Sequence, residues 1–289
     1  MYPPIPKNSG LNIPKKLWHR IVDYYKDTTK GIIKPPFKID EFPRQRIENA
    51  KTQLDRILSL QIEKNQLFLD AGCGLGIFAA LATLSGYKFY GYDVDKNAID
   101  IAHDLFNANG LPVNRIQLIQ REVPFKKMKF DIITSFEVVE HVADLDFYLN
   151  QLSKVVTPNG QLFIETPNYL IPYEPHFYVF LPPGPKYLKW VFCRLSGRTN
   201  YDFFNSLNFV TPKKIEGAAL KAGFKIEKNL GIKEGLQQVL EKTPKSRSKY
   251  VQKGSFLIRL LKLDGMIKWL AKKGLYTPLV YIFSPSKKF

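Results

Sequence analysis

Residues 67–76 of this chain read Leu-Phe-Leu-Asp-Ala-Gly-Cys-Gly-Leu-Gly, an apolar run that ends at Asp70 and is followed by Gly72, Gly74 and Gly76. Glycine has no Cβ, so it suits a backbone that turns sharply and lies close to a ligand. The apolar residues predict a buried strand, and the residues after the last glycine predict a helix whose first N–H groups are free. This stretch therefore predicts a ligand-binding turn between a strand and a helix.

Short apolar segments recur along the rest of the chain, with helical segments between most of them. Further strands are predicted at 87–93, 116–119, 130–135, 161–165, 224–228 and 278–283. Helices are predicted at 43–60, 77–85, 97–108, 212–222 and from the end of the fourth strand to about residue 155. Strands and helices that alternate at this spacing predict an α/β fold, a doubly wound parallel sheet with helices on both faces.

Composition divides the chain into predicted regions. Residues 1–45 are rich in Pro and Lys and predict an N-terminal arm, and residues 46–289 predict one domain. Within that domain, residues 169–209 interrupt the alternation with aromatic residues and prolines, which predicts an inserted cap. Residues 235–275 are basic and predict a helical insertion before the last strand. The expected architecture is a sheet domain with two insertions and an arm packed on it.

Charge and cysteine content limit the setting of the protein. The formal net charge is +17, and the cysteines are Cys73 and Cys193, too few for a disulfide framework and without zinc spacing, so a reducing cytoplasmic setting is expected. Residues 1–10 lack the apolar run typical of a signal peptide, so none is expected, and no stretch reaches the roughly 18 apolar residues of a membrane-spanning helix. The charge favours an anionic partner such as nucleic acid, a phosphorylated substrate or an acidic membrane, although a solvated Lys-rich surface accounts for it equally well.

A second acidic residue, Asp93, ends the next predicted strand in the run Tyr90-Gly-Tyr-Asp-Val-Asp95. An acid at this place accepts hydrogen bonds from the ribose hydroxyls of an adenosine ligand. A nicotinamide dinucleotide turn has the pattern G-x-G-x-x-G, whereas residues 72–76 have G-x-G-x-G preceded by Asp70. The preceding acid favours a cationic ligand with an amino group over a pyrophosphate.

Three runs of the chain resemble the class I S-adenosylmethionine (SAM)-dependent methyltransferases: DAGCGLG at 70–76, GYDVD at 91–95 and FDIITSFEVVEHV at 130–142. The strongest resemblance is to the branch of the ubiquinone-biosynthesis O-methyltransferases, in which a Glu-Val-x-Glu-His-Val run follows the fourth strand. LFIETPN at 162–168 and FVTP at 209–212 resemble later parts of that branch. The resemblance implies a Rossmann-like sheet of seven strands whose last strand is antiparallel, with SAM over the carboxyl ends of the first two strands.

The resemblance also implies which residues contact SAM. It assigns the methionine part and the close backbone approach to Asp70, Gly72, Cys73, Gly74 and Gly76, the ribose to Asp93 and the adenine to Val94. Members of the family commonly have an acid or amide near the adenine amine after the third strand, and residues 119–125 lack the usual aspartate. Gln120 or Glu122 is expected to replace it, and Phe136 completes the predicted set.

Glu137, Glu140 and His141 stand at positions i, i+3 and i+4 after the fourth strand, so a helix there would place their side chains on one face. Three roles are open for this set: ligands of a divalent cation such as Mg²⁺, a general base at His141, or capping and pocket lining without titration. Many family members have a histidine shortly before the Asn-Phe-x-Thr-Pro segment, and this chain has none there. His176 in the predicted cap is the available replacement.

The two predicted insertions bear on the acceptor. Eight aromatic residues between 169 and 192 favour a lid over an apolar or ring-bearing acceptor, with ordinary packing of the insertion as the alternative. Basic residues from Lys242 to Lys253 precede apolar segments at 256–263 and 266–273. That combination suits an anionic membrane surface, with burial against the sheet as the alternative.

The sequence therefore predicts an enzyme, a SAM-dependent methyltransferase that acts on an oxygen atom of a small-molecule, lipid-linked or glycan acceptor. An RNA 2′-O-methyltransferase is one alternative, supported by the charge, but no RNA-binding module accompanies the domain, so nucleic acid is the less favoured partner. The other alternative is a SAM-binding subunit without its own activity. The expected location is cytoplasmic, with association of the basic insertion with a membrane.

Overall fold

A computed structural model of the protein describes residues 10–32, 42–60, 62–119, 123–125, 127–177, 179–182, 184–231 and 278–286. The predicted basic insertion at 235–275 lies outside the described residues, as do Gln120 and Glu122. Within the described ranges, no helix has both the length and the apolar character needed to cross a membrane.

One mixed sheet organises the described part of the chain. Its strands and those of a small hairpin are β1 (Leu67–Ala71), β2 (Lys88–Asp93), β3 (Ile116–Leu118), β4 (Phe130–Phe136), β5 (Val156–Thr166), β6 (Tyr173–Glu174), β7 (Val179–Phe180), β8 (Phe224–Asn229) and β9 (Leu279–Pro285). Seven strands have the order β3-β2-β1-β4-β5-β9-β8, while β6 pairs with β7. Neighbours from β3 to β5 are parallel, and β9 is antiparallel to both β5 and β8. The structure confirms the predicted seven-stranded α/β sheet with an antiparallel last strand.

The sheet separates two hydrophobic clusters that helices cover. The helices are α1 (Lys15–Thr28), α2 (Phe42–Leu58), α3 (Ile77–Leu84), α4 (Lys96–Ala108), α5 (Leu145–Ser153), α6 (Lys186–Leu195), α7 (Tyr201–Ser206) and α8 (Pro212–Lys221). Adjacent strand residues face opposite sides, so Phe68 of β1 joins the cluster under α1 to α4, while Leu69 joins the cluster under α5 and α8. Burial on both faces explains why the strands are apolar runs rather than alternating patterns.

The helix α1 brings the N-terminal region to the carboxyl ends of β1 and β2. Its residues Trp18, Ile21 and Val22 are buried in the cluster that also contains α4. The Tyr24 hydroxyl donates a hydrogen bond to Asp95 Oδ2 at 2.9 Å, just beyond the end of β2. The arm boundary predicted after residue 45 falls inside α2, which packs in the same cluster.

The sequence Pro158-Asn159-Gly160 predicts a turn, and that prediction is wrong, because the segment lies inside β5. The strand begins at Val156 and pairs with β4, with an irregular register between Phe130 and Ile132. A Cβ on Gly160 would lie 2.9 Å from the Asp131 carbonyl oxygen, so glycine permits two backbones to approach closely here. The Pro-Asn-Gly sequence therefore marks a distorted strand start rather than a turn.

Residues of the predicted cap, which lies between β5 and α8 in the sequence, form a separate hydrophobic cluster together with Ile32 from the segment after α1. Its buried members are Ile32, Phe177, Val179, Leu181, Cys193, Phe204 and Leu207. Arg198 is buried and donates hydrogen bonds from Nε to Phe177 O and from Nη1 to Ser196 O, both at 2.8 Å. Thr199 N donates to Gly31 O at 2.8 Å, so the cap is also joined to the residues that follow α1.

Candidate functional site

The glycine turn folds back over the end of β2. The backbone φ angles of Gly72, Gly74 and Gly76 are +88°, +50° and +68°, in the region that favours glycine. The N–H groups of Gly72 and Cys73 both donate to the Tyr92 carbonyl oxygen at 2.9 Å. The turn therefore places its backbone beside the carboxyl end of β2.

Asp93 joins the two sequence motifs directly. Its Oδ2 accepts a hydrogen bond from Gly74 N at 2.8 Å, and its Oδ1 accepts one from Asp95 N at 3.0 Å. Each carboxylate oxygen keeps further accepting capacity, because it has two lone pairs. The neighbouring Val94 is 76% exposed and forms an apolar wall beside this carboxylate.

Asp70 is a buried carboxyl group at the end of β1, 4% exposed. Burial raises the pKa of Asp70 to about 7, and the nearby charge of Asp93 also raises it. The Thr134 hydroxyl acts in the opposite direction, because it donates a hydrogen bond to Oδ1 at 2.8 Å and so favours the ionised form. A cationic ligand beside Asp70 would favour ionisation. The sequence motif did not reveal Thr134, which reaches Asp70 from the neighbouring strand β4.

Gly76 serves packing rather than the cavity. A Cβ on Gly76 would lie 3.0 Å from the Cβ of Ala102 in α4, so the absence of a side chain lets α3 and α4 come together. Gly76 does not line the main cavity, unlike Asp70, Gly72, Cys73, Gly74, Asp93, Val94 and Phe136. Gly76 therefore allows the close packing of α3 and α4, and its contact with SAM stays a prediction.

The predicted helix across residues 137–141 is wrong. Glu137 has a φ of +57°, the one positive value at a non-glycine residue in the described ranges, and such a residue cannot continue a right-handed helix. Residues 139–141 form a turn, in which His141 N donates to Val138 O at 2.8 Å. The helix α5 begins only at Leu145, so the three predicted residues do not share a helical face.

Glu140, His141 and His176 instead come together from two parts of the chain. Each offers a ligand atom, and these atoms lie within 4.8 Å of one another. Glu140 is fully buried: its Oε2 accepts from the Thr166 hydroxyl at 2.9 Å, and its Oε1 has no hydrogen-bond partner within the described part of the chain. Glu137 is not a member of this group and lines the cavity beside it.

Burial dominates the electrostatics of this group. It raises the pKa of Glu140 to about 8, with a further contribution from the charge of Glu137. It lowers the pKa of His141 to about 4, helped by neighbouring His176. Burial would also lower the pKa of His176, but the hydrogen bond and charge of Glu174 outweigh it and raise the pKa above its usual value.

A continuous cavity of about 940 Å³ extends from the glycine turn to the two histidines. Its wall also contains residues of α1 and α2 that the sequence interpretation missed: Tyr24, Tyr25, Thr28, Thr29, Gln45, Arg46, Asn49 and Gln53. Gln45, Asn49 and Gln53 are spaced by four residues, so they form a polar stripe on one face of α2. This regular spacing of uncharged polar residues is visible in the sequence, and it could have predicted that α2 lines the cavity.

The family comparison agrees with this geometry. A family model described as a methyltransferase domain matches residues 42–229, more than half of the chain. The chain belongs to the methyltransferase domain family. This match confirms the methyltransferase family that the sequence motifs predict.

Relatives of this methyltransferase include the ubiquinone biosynthesis O-methyltransferase of Pelagibacter ubique, 36% identical over 129 residues, which are 44% of this chain and 52% of that protein. The protein of the same name from Brucella anthropi is 28% identical over 165 residues, 57% of this chain and 62% of its own length. The matched part of this chain therefore spans less than two thirds of either relative.

Solved structures confirm the fold. A geranyl diphosphate C-methyltransferase from Streptomyces coelicolor A3(2) superposes with a TM-score of 0.53 at 12% identity, covering 89% of this chain and 87% of that one. A SAM-dependent methyltransferase from Clostridium acetobutylicum has a TM-score of 0.52 at 10% identity, with coverage of 93% and 99%. At these identities the likeness concerns the arrangement of strands and helices.

Gly72 and Gly74 line the cavity, and we expect an added methyl group to have a different effect at each of them. In Gly72→Ala the new Cβ would lie 2.4 Å from Cγ2 of Val138, a branched side chain that yields poorly, and the φ of +88° adds strain. In Gly74→Ala the Cβ meets no atom within 4 Å, so the strain of a positive φ remains alone. We expect Gly74→Ala to lower the free energy of unfolding by about 1–2 kcal/mol and Gly72→Ala by about 2–4 kcal/mol. Urea denaturation measures both, and equal losses would contradict this account of the turn.

Proposed function

We propose that the protein transfers the methyl group of SAM to an oxygen atom of a small acceptor with an apolar, ring-bearing body. The observation that carries the proposal is the continuous cavity between the glycine turn and the His141–His176 pair. Methyl transfer needs the sulfonium and the acceptor oxygen in line, so the two ligands must share one space. The relatives in Pelagibacter and Brucella, both named O-methyltransferases, support oxygen as the methylated atom.

The cofactor end of the cavity has groups that suit each part of SAM. The remaining lone pairs of the Asp93 carboxylate can accept hydrogen bonds from the ribose hydroxyls, and the exposed Val94 side chain packs on the adenine. Asp70, buried and close to the turn, attracts the positive charge of the methionine part. Arg46 lines the same cavity from α2, and its guanidinium suits the methionine carboxylate.

The cavity lining includes aromatic and apolar groups that suit a ring-bearing acceptor, among them Tyr25, Phe42, Phe147, Phe203 and Val142. The Phe203 ring lies at the acceptor end, with its centroid 5.3 Å from those of His141 and His176. In the reaction the bond from sulfur to the methyl carbon breaks as the bond to the acceptor oxygen forms, and the sulfonium becomes a neutral thioether. The acceptor hydroxyl releases its proton to solvent. The protein contributes chiefly by holding these atoms in line and excluding water.

We further propose that Glu140, His141 and His176 hold a divalent cation that binds the acceptor hydroxyl. The residues present fit such an ion, because Glu140 Oε1 is buried without a hydrogen-bond partner in the described ranges. In addition, one carboxylate oxygen of Glu140 lies within 4.8 Å of a ring nitrogen of each histidine. A bound Mg²⁺ or Mn²⁺ would orient the hydroxyl and lower its pKa. His141 alone is poorly matched as a general base, because burial lowers its pKa to about 4, well below neutral pH.

The two alternatives lack comparable support in the described residues. The cavity lining contains one arginine, Arg46, which is already assigned to the methionine carboxylate, and no lysine, so the cavity itself does not offer the several phosphate contacts that RNA binding requires. A subunit without activity would have no need for an acceptor space joined to the cofactor turn. Both alternatives predict no methylation of a small phenol, which separates them from the main proposal.

We also propose that the helix α6 associates with an anionic membrane surface. Tyr187, Val191 and Leu195 are 67%, 45% and 79% exposed, whereas Lys186 and Lys189 point inward and donate to backbone carbonyls. An apolar outer face on a protein of net charge +17 suits an anionic lipid surface better than a second copy, which would carry the same charge. The basic segment at 235–275, also predicted to bind membranes, lies outside the described residues.

Replacing Asp93 tests the cofactor end. Asp93→Ala removes a charged acceptor of ribose hydrogen bonds worth about 1.5–3 kcal/mol, so SAM affinity should fall about 10- to 150-fold in calorimetry. Asp100→Ala is the matched control, since it removes the same charge from the exposed face of α4. Unchanged SAM binding by Asp93→Ala, or equally tight binding of NAD by the wild-type protein, would contradict the assignment.

Chelation tests the cation site. Excess EDTA should abolish turnover while SAM affinity stays the same, and Mn²⁺ should restore activity. His176→Ala should weaken Mn²⁺ binding at least about tenfold, whereas Glu137→Gln should change it little, because Glu137 is outside the group of ligand atoms. Full activity in EDTA would remove the cation, and loss of Mn²⁺ binding in Glu137→Gln alone would favour the set expected from the sequence.

Sedimentation with vesicles tests the α6 surface. The wild-type protein should sediment with vesicles of phosphatidylglycerol and phosphatidylcholine, and the double variant Val191→Asp, Leu195→Asp should remain in the supernatant. Leu220→Asp is the control, because Leu220 is 60% exposed on α8. Wild-type protein that stays soluble with these vesicles, or a dimer that only the double variant loses, would overturn the membrane as the partner of α6.

A further inference from the structure

Glu174 is a fully buried carboxylate in the β6–β7 hairpin of the cap, outside the lining of the main cavity. Three donors satisfy it: His176 Nδ1 at 2.6 Å and the Tyr169 hydroxyl at 3.0 Å on Oε1, and Phe177 N at 2.5 Å on Oε2. A buried charge is costly unless several hydrogen bonds compensate for it. Burying the Glu174 carboxylate therefore costs free energy that an apolar side chain, which only filled the same space, would not cost.

The contact with His176 determines which ring nitrogen is available. An ionised carboxylate can only accept hydrogen bonds, so Nδ1 of His176 must carry the hydrogen in the 2.6 Å contact. In the neutral imidazole the lone pair is then on Nε2. A carboxylate bound to the far nitrogen of a histidine ligand fixes both the tautomer and the orientation of the ring.

The cap holds Glu174 itself in place. Phe177, whose N–H donates to Glu174, has its carbonyl oxygen bound by the buried Arg198 at 2.8 Å. The Phe177 side chain is fully buried in the cap cluster. Tyr169, whose hydroxyl also donates to Glu174, is held by its own backbone, because Tyr169 N donates to Val210 O at 2.9 Å. Glu174 is therefore rigidly placed between two fixed points.

We propose that Glu174 is a positioning residue that orients His176 as a ligand of the cation site. This inference rests on the proposed cation bound by Glu140, His141 and His176. Glu140 and His141 come from the loop after β4, whereas His176 and Glu174 come from the cap, so the carboxylate aligns the ligand that the cap supplies. The cation then joins the cap to the sheet domain at the acceptor end of the cavity.

The test measures Mn²⁺ affinity of the full-length protein by electron paramagnetic resonance, without turnover. Glu174→Gln keeps the size of the side chain but places an amide where a charged acceptor was, so Mn²⁺ affinity should fall about 10- to 100-fold. SAM affinity, measured by calorimetry, should stay within about twofold, because Glu174 does not line the cofactor cavity. Tyr169→Phe is the matched control: it removes a donor to Glu174 but leaves the bond to His176, and a smaller loss is expected.

A double-mutant cycle separates positioning from general support of the cap. If Glu174 acts through His176, Glu174→Gln should cause no further loss of Mn²⁺ affinity in a His176→Ala background. A residue that only stabilises the cap would weaken Mn²⁺ binding by the same factor in both backgrounds, and that result overturns the proposal. If Glu174→Gln does not fold, Glu174→Asp can be used in the same cycle. It keeps the negative charge, but its side chain is one methylene shorter, so the carboxylate moves away from His176.

The outcomes also distinguish this proposal from the one on which it rests. A wild-type protein that binds no Mn²⁺ overturns the cation site and the role of Glu174 with it. A wild-type protein that binds Mn²⁺ with an affinity unchanged in Glu174→Gln overturns the positioning role alone.

Discussion

The hydrogen bond from Gly74 N to Asp93 Oδ2, 2.8 Å long, joins the ends of β1 and β2, and the rest of the site depends on it. It forms only because the turn adopts positive φ angles at Gly72 and Gly74. Parallel strands end at the same edge of a sheet, so Asp70 and Asp93 necessarily come together there. The helices α1 and α2 close one side of this edge, and the loop after β4 closes the other.

A second constraint comes from two carboxyl groups that are buried near the cap. Glu140 and Glu174 are both fully buried, although an ionised carboxylate is costly away from water. Glu174 recovers that cost through three hydrogen bonds, whereas Glu140 Oε1 has none within the described residues. The difference identifies Glu174 as a structural partner of His176 and Glu140 as a group suited to an external ligand. In the proposed cation site, the cap thus supplies a ligand in addition to covering an apolar space.

The errors of sequence interpretation occurred where local pattern and long-range contact disagree. The spacing of Glu137, Glu140 and His141 suits a helix, but the left-handed backbone of Glu137 places them in a turn. Glu137 N donates to Glu165 O at 2.8 Å, a contact with a residue far along the chain that favours this conformation. The partnership of His141 with His176, whose ring centroids are 5.2 Å apart, joins residues on separate elements and has no signal in the spacing.

The sequence by itself determined the sheet, the glycine turn and the acid at the end of β2, because each depends on residues close together in the chain and on backbone geometry that glycine allows. The family assignment followed from the same short runs. Only the tertiary structure decided which acids and histidines face one another, how Thr134, Thr166 and Glu174 support them, and that α1 and α2 complete the cavity. These contacts join residues on different elements, and packing of the whole chain sets their distances.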